Sequence, residues 1–285
     1  MRASRRAEAV PTVRDPIGAL GAIAALVTIT ALILLTAVLV VEAREVLDWR
    51  FFLDPPSRVA AAGGVGPALA GSLWLTFLVA ATAVPLGVGT AVYLSEYAPR
   101  TRLVDALESV LTNLAGVPSV VYGMAGLALF VRGLGLGPSI LAGALTLTTL
   151  AVPPMIVNCR KALHAVPDEF RWAAFGLGAS RWQVVRHQVL PAAAPGILGG
   201  CCAALLRAVG AAAPLLMLGA VSFTTFAPSG PGDPLTALPT QIFAWAARPQ
   251  EGFLALAAGG SVALLLLAAA MHLVLLAHRR RRRRY

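Results

Sequence analysis

From Ile17 to Val41 the chain carries no charged side chain. A helix of about 20 apolar residues crosses the hydrocarbon core of a bilayer. Five further stretches have the same character: residues 67–94, 106–131, 139–157, 192–221 and 254–277. Glu108 interrupts the third near its start, and Arg207 is the one acid or base in the fifth. Prolines inside them (Pro85, Pro118, Pro153, Pro154, Pro214) are compatible with membrane helices, where packed neighbours satisfy the freed backbone groups. The spacing therefore predicts an all-α integral membrane protein with six transmembrane helices. Composition agrees: 58% of residues are hydrophobic, 13% are charged, and mean hydropathy is +0.78. Disorder needs the reverse balance, and soluble domains carry about 25% charged residues.

Residues 17–43 follow a basic start, Met1 to Arg6, which a cleaved signal peptide also has. The apolar run exceeds the 7–15 residues of such a peptide, so it reads as a retained helix. The net charge of +10 is unevenly placed. Seventeen basic residues fall in segment 1–16, loop 95–105, loop 158–191 and the tail 278–285, against five on the opposite side. The positive-inside rule places both termini in the cytoplasm. The polyarginine tail follows directly on a membrane segment and reads as an anchor on anionic membrane lipid, not as a nucleic-acid patch. Residues 67–277 form the predicted membrane domain after helix 17–43.

Chemistry-bearing motifs are few. The one lysine, Lys161, lacks the Gly before it and the Ser or Thr after it that a phosphate-binding Walker loop requires, so the chain holds no ATP site of its own. Cys159, Cys201 and Cys202 give neither a disulfide framework nor a metal spacing. His164, His187, His272 and His278 make no metal motif, and no Ser–His–Asp arrangement is visible. No metal, cofactor or catalytic residue is expected.

The long loop 158–191 reads as two short helices around glycines. Pro167, Asp168 and Glu169 form a helix start, with acids at the positive end of the dipole. The helix should run to about Phe175, with Gly176 and Gly178 breaking it. Ser180–Gln183 fits a capping box opening a second helix, which Pro191 should close before the fifth span. Such an element at the membrane face is either a grip for a soluble partner or an ordinary interfacial loop.

Arg207 lies roughly 20 Å from either end of the fifth segment at 1.5 Å per residue. A charge there costs about 2.5–3.5 kcal/mol on insertion scales and is functional by default. Its planar, always-charged fork suits an oxyanion. The alternative is a structural arginine bonded to backbone carbonyls of a neighbouring helix. Pro214 and the Gly116–Ser119 turn predict interruptions of the kind that line transporter pathways and also occur in inert bundles. Ser119, Tyr122 and Asn113 can offer hydrogen bonds to an oxyanion or across helices.

Trp172, Ala173, Ala174, Gly178, Leu190 and Pro191 resemble the Glu-Ala-Ala loop of bacterial ABC importer permeases. Segments 93–100, 113–123, 207–216 and 238–251 resemble those of the phosphate importer permeases, the last pointing to the A-type subunit over its C-type paralogue. The resemblance covers about Gly63 to the C-terminal arginines. It implies a type I importer (MetI-like) fold and a substrate pathway at Arg207, Gly210, Pro214, Asn113, Pro118 and Ser119. ATPase coupling would fall to Asp168 and the six loop residues just named. It also implies partners: a C-type permease, two ATPase subunits that bind the ATP and magnesium, and an extracytoplasmic phosphate-binding protein. Three positions depart from the family pattern: Trp172 stands where the loop glutamate is usual, and Ala211 and Ala212 replace a Glu-Thr pair after Arg207. Another oxyanion, or a non-transporting divergent subunit, stays compatible with those departures. A membrane enzyme does not fit acids scattered through loops.

Overall fold

The computed structural model describes residues 16–99, 101–220, 224–250 and 252–282, the side chains of Pro16 and of 274–282 excepted. The basic tail 1–15, Arg100, residues 221–223, Glu251 and the last three residues lie outside that set, as do the side chains of the arginine tail. Among the described residues the protein is all-helical, and five helices are long and apolar enough to cross a membrane.

Helix α1 (Pro16–Ala43) is exposed nearly throughout, as a lipid-facing helix must be when it has no polar face. Short α2 (Trp49–Leu53), capped by the Asp48 carboxylate, leads to α3 (Gly66–Val92). The last turn of α3 is wound wider, Tyr93–Tyr97, with the Ala98 amide bonding to the Tyr93 carbonyl. Then come α4 (Arg102–Ala115), α5 (Ser119–Gly126, extended by wide turns to Gly133) and α6 (Ile140–His164). Beyond these lie α7 (Asp168–Gly176), α8 (Arg181–Val184), α9 (Leu190–Val209), α10 (Ala212–Met217), α11 (Leu238–Ala246) and α12 (Phe253–Arg282).

The core sits where α3, α6 and α9 pack together. Gly196 and Gly200, four apart on α9, meet Ala162 and Asn158 of α6 so closely that a Cβ on either would lie 2.6 and 2.8 Å away. Small residues at this spacing let membrane helices approach, since lipid offers no hydrophobic drive to associate. Thr82 of α3 and Thr148 of α6 share a 2.7 Å hydrogen bond in the same interface. A second apolar cluster joins α2, the start of α3, α11 and α12 around the buried Trp245.

Three expected spans differ, the fourth by running on past Val157 to His164. Residues 106–131 are not one helix: α4 and α5 meet at 100°. Pro118 has no N–H and forces its predecessor Val117 out of the helical region, and Gly116 caps the turn. The fifth span starts earlier and stops earlier than 192–221. Pro191 does not close the second loop helix; helix runs on from Arg181 to Val209. The turn before the proline, Val185–Val189, is wound wide, with the Leu190 amide reaching back five residues to the Val185 carbonyl, so the ladder bridges the residue that has no N–H. Gly210 and Ala211 then break the helix.

Candidate functional site

The two interruptions, 116–118 and 210–211, are brought together. α5 packs on α10, where Gly123 lies against Pro214. The final carbonyls of α4 have no partner within their own helix. The Tyr122 hydroxyl donates to the Leu114 carbonyl at 2.8 Å, and Arg207 Nη1 donates to the Ala115 carbonyl at 3.2 Å. Arg207 thus makes the backbone contact that the structural alternative requires, while its side chain remains exposed. Gly210 caps the end of α9, Pro214 is buried in α10, Pro118 precedes α5, and Ser119 opens it half-buried.

Asn113 is not part of this junction. It lies two residues before Ala115, about 200° around the helix. It lines a separate cleft of about 770 Å³ between α4 and α6 with Asp105, Glu108, Arg160, Lys161 and His164. An Arg160–Glu108 ion pair of 2.5 Å holds that cleft's two walls. The sequence placed Arg160 only in a count of basic residues, because its partner lies 52 positions away.

The loop element follows its local signals. α7 begins at Asp168 after Pro167 and ends at Gly176. Gly178 takes φ +80°, a conformation that costs a glycine little. Ser180 and Gln183 form both bonds of the capping box, at 3.4 and 2.8 Å. Around α7 and α8 five large apolar side chains are exposed: Phe170, Trp172 (70%), Phe175, Leu177 (90%) and Trp182. Ala173 is exposed, Ala174 half-buried against the core, and Leu190 and Pro191 sit in the first turn of α9.

Arg171 was not among the expected residues, yet it is the most fully engaged side chain of the loop. Its Nη2 and Nε meet both carboxylate oxygens of Glu96 at 2.7 and 3.3 Å. The same guanidinium donates to the Val166 and Leu163 carbonyls at 2.8 and 3.1 Å, and to Asp168 at 3.2 Å. The Glu96 hydrogen bonds hold Arg171 protonated above its already high ordinary range, against the opposing effect of burial. No signal within the loop marks Glu96, which is 75 residues distant. Among the described residues no three His, Cys, Asp or Glu side chains gather as a metal site would need.

Residues 83–284 match the family described as binding-protein-dependent transport system inner membrane component. The chain is 35% identical over 194 residues to the probable ABC transporter permease protein YqgI of Bacillus subtilis, covering 66% of each. It is 40% identical over 159 residues to the phosphate transport system permease protein PstA of Mycobacterium leprae, covering 55% of this chain and 51% of that one. The aligned regions thus span about half to two thirds of these relatives. Among solved structures, a chain of the inward-facing MetNI methionine ABC transporter matches with TM-score 0.57 at 20% identity, over 77% of this chain and 94% of that one. An alginate ABC transporter chain matches with TM-score 0.57 at 14% identity, over 75% and 78%. At such identities these likenesses speak for the fold alone. With nearly three quarters of its length inside the family's match and the MetI-type permease fold, the chain belongs to the inner membrane components of binding-protein-dependent transport systems.

Proposed function

We propose that this chain is the membrane-spanning permease subunit of an ATP-binding-cassette importer that moves inorganic phosphate into the cell. The observation that carries the reading is Arg207: a fixed cation, exposed, at the meeting point of two interrupted helices. Relatives named as phosphate permeases support the choice of anion. Guanidinium binds phosphate oxygens through paired N–H groups, and broken helices near the bilayer centre leave backbone polar groups free to assist.

On this reading Gly210, Pro214, Pro118 and Ser119 line the pathway with Arg207, and Asn113 serves the neighbouring cleft. The 168–191 element, with Asp168, Trp172, Ala173, Ala174, Gly178, Leu190 and Pro191, receives the ATPase. The apolar side chains around α7 and α8 supply area of the kind that anchors interfaces. Two ATPase subunits, a C-type permease and an extracytoplasmic phosphate-binding protein complete the machine. Both termini face the cytoplasm, with six spans if α4 and α5 count as one bent pair. A different oxyanion is the second reading, favoured by one feature: Ala211 offers no carboxylate beside Arg207.

The test is uptake of labelled phosphate into proteoliposomes holding the complete complex and its binding protein, with sulfate and molybdate as competitors. Saturable, ATP-dependent uptake inhibited by neither competitor is expected. Uptake of a competitor in preference to phosphate would transfer the assignment to that anion.

A further inference from the structure

The helix read above as the ATPase docking element is tied to α3 and α6 by the polar contacts of one side chain, Arg171. No residue of α7 is buried. Its apolar residues Phe170, Trp172 and Phe175 are exposed. Ala174 is half-buried against the core, and the Arg171 side chain is only 14% exposed against a Glu96 side chain only 9% exposed. Glu96 lies in the widened last turn of α3, and Leu163 and Val166 lie in the last turn of α6 and just beyond it. One guanidinium therefore joins α7 to α3 through a two-oxygen ion pair, and to the end of α6 through two carbonyls.

This contact differs in kind from the apolar packing elsewhere. Apolar faces slide over one another at little cost, because dispersion has no preferred direction. A fork-to-fork arginine–carboxylate pair fixes both distance and plane. Shielded from solvent, it also escapes most salt screening. The two backbone bonds place the cation at the negative end of α6, where it is further stabilised. Widened helical turns such as Tyr93–Tyr97 frequently accompany function. The next residue along, Trp172, carries no charge and is 70% exposed, so it cannot share the ion pair.

We propose that the Arg171–Glu96 pair is the mechanical link through which displacement of α7 by a docked ATPase reaches α3 and α6. Arg171 and Glu96 are then positioning residues of the coupling step. The proposal rests on the reading of α7 as the docking helix.

The experiment is independent of which solute is carried. The complete complex is placed in proteoliposomes with a Ser119→Cys reporter in the permease. The chain's own three cysteines are buried, so a charged maleimide reports on position 119. Labelling is compared without nucleotide and with ATP plus vanadate, while ATPase binding is measured in parallel. In the parent, nucleotide should change the labelling rate about tenfold, within the range of coupling between linked sites. Glu96→Gln keeps the shape and loses the charge, and Arg171→Lys keeps the charge and loses the fork. In both, the change should collapse to less than about twofold although the ATPase stays bound. Glu45→Gln, in a solvent-exposed Arg44–Glu45 contact, should behave as the parent. A full nucleotide response in either α7-pair variant overturns the link. So does loss of ATPase binding in both, which would make the pair a brace for the docking helix only. If the parent itself shows no response, the reading of α7 fails and the link falls with it.

Discussion

Replacing Gly123 with alanine tests whether the helix junction is as tightly built as its geometry states. A Cβ at 123 would lie 2.7 Å from Pro214 Cα, 2.9 Å from the Pro214 carbonyl oxygen and 3.0 Å from Met217 Cβ. Two of these are backbone atoms and cannot rotate away. Carbon atoms rest about 3.5–4.0 Å apart, so α5 and α10 must separate by roughly 1 Å. Overpacking of this kind costs about 1–3 kcal/mol. Alanine also gains about 1 kcal/mol over glycine in a helix, which masks part of the cost. Gly89 of α3 provides the correction, since nothing lies within 4 Å of a Cβ placed there. Gly89→Ala takes the same gain without the clash, so the difference between the two variants isolates the clash at about 1–3 kcal/mol. For a chain of this size that separates the melting temperatures by roughly 2–12 °C, Gly123→Ala the lower. Tryptophan fluorescence during matched heating scans in lipid nanodiscs reads the difference. Equal melting temperatures would refute the close approach of α5 to Pro214.

Arg207→Ala should abolish phosphate uptake while membrane insertion survives, and Arg207→Lys should restore little, because a point charge lacks the fork; labelled uptake with an insertion control checks both. Trp172→Ala should weaken ATPase association by about 2 kcal/mol, near thirtyfold, if Trp172 anchors the interface; titration of the purified ATPase against the permease measures it. Asp233 accepts the Ser229 and Gly230 amides at 2.7 and 2.9 Å and the Ser229 hydroxyl at 3.0 Å, which hold its carboxyl below the usual carboxylate range. Its contribution to the 229–233 turn is therefore complete above the ordinary value of about 3.9 and disappears as pH falls through the lower folded value. Hydrogen exchange at the two amides should rise in that window beyond the intrinsic pH effect, and Asp233→Asn should raise it already at neutral pH.

Length and charge were enough to find the apolar segments, and local chemistry was enough to bound α7. Proline and acids at 167–169, glycines at 176 and 178, and the Ser180–Gln183 pair act over four residues or fewer, so their effect is written where they stand. Breaks in the long helices were not legible in the same way. Pro85, Pro153, Pro154 and Pro195 all lie inside helices that continue, and α9 runs on past Pro191, whereas Pro118 sits at a 100° bend. One residue type gives both results, because the outcome depends on who satisfies the freed carbonyls. Leu114 accepts from the Val117 amide and the Tyr122 hydroxyl, and Ala115 from Arg207, 92 positions away.

That the chain is a helical membrane protein, where its apolar segments fall, and that short helices flank the glycines of loop 158–191 are all written in the order of its residues. Those are consequences of solvation and of hydrogen bonding between near neighbours. That Arg207 caps α4, that Asn113 turns to a different cleft, and that Arg171 is tied to Glu96 are settled by how the helices pack. Each of these pairs residues far apart in the chain, and closing such distances is the work of packed helices, which leave no local mark on the residues they bring together.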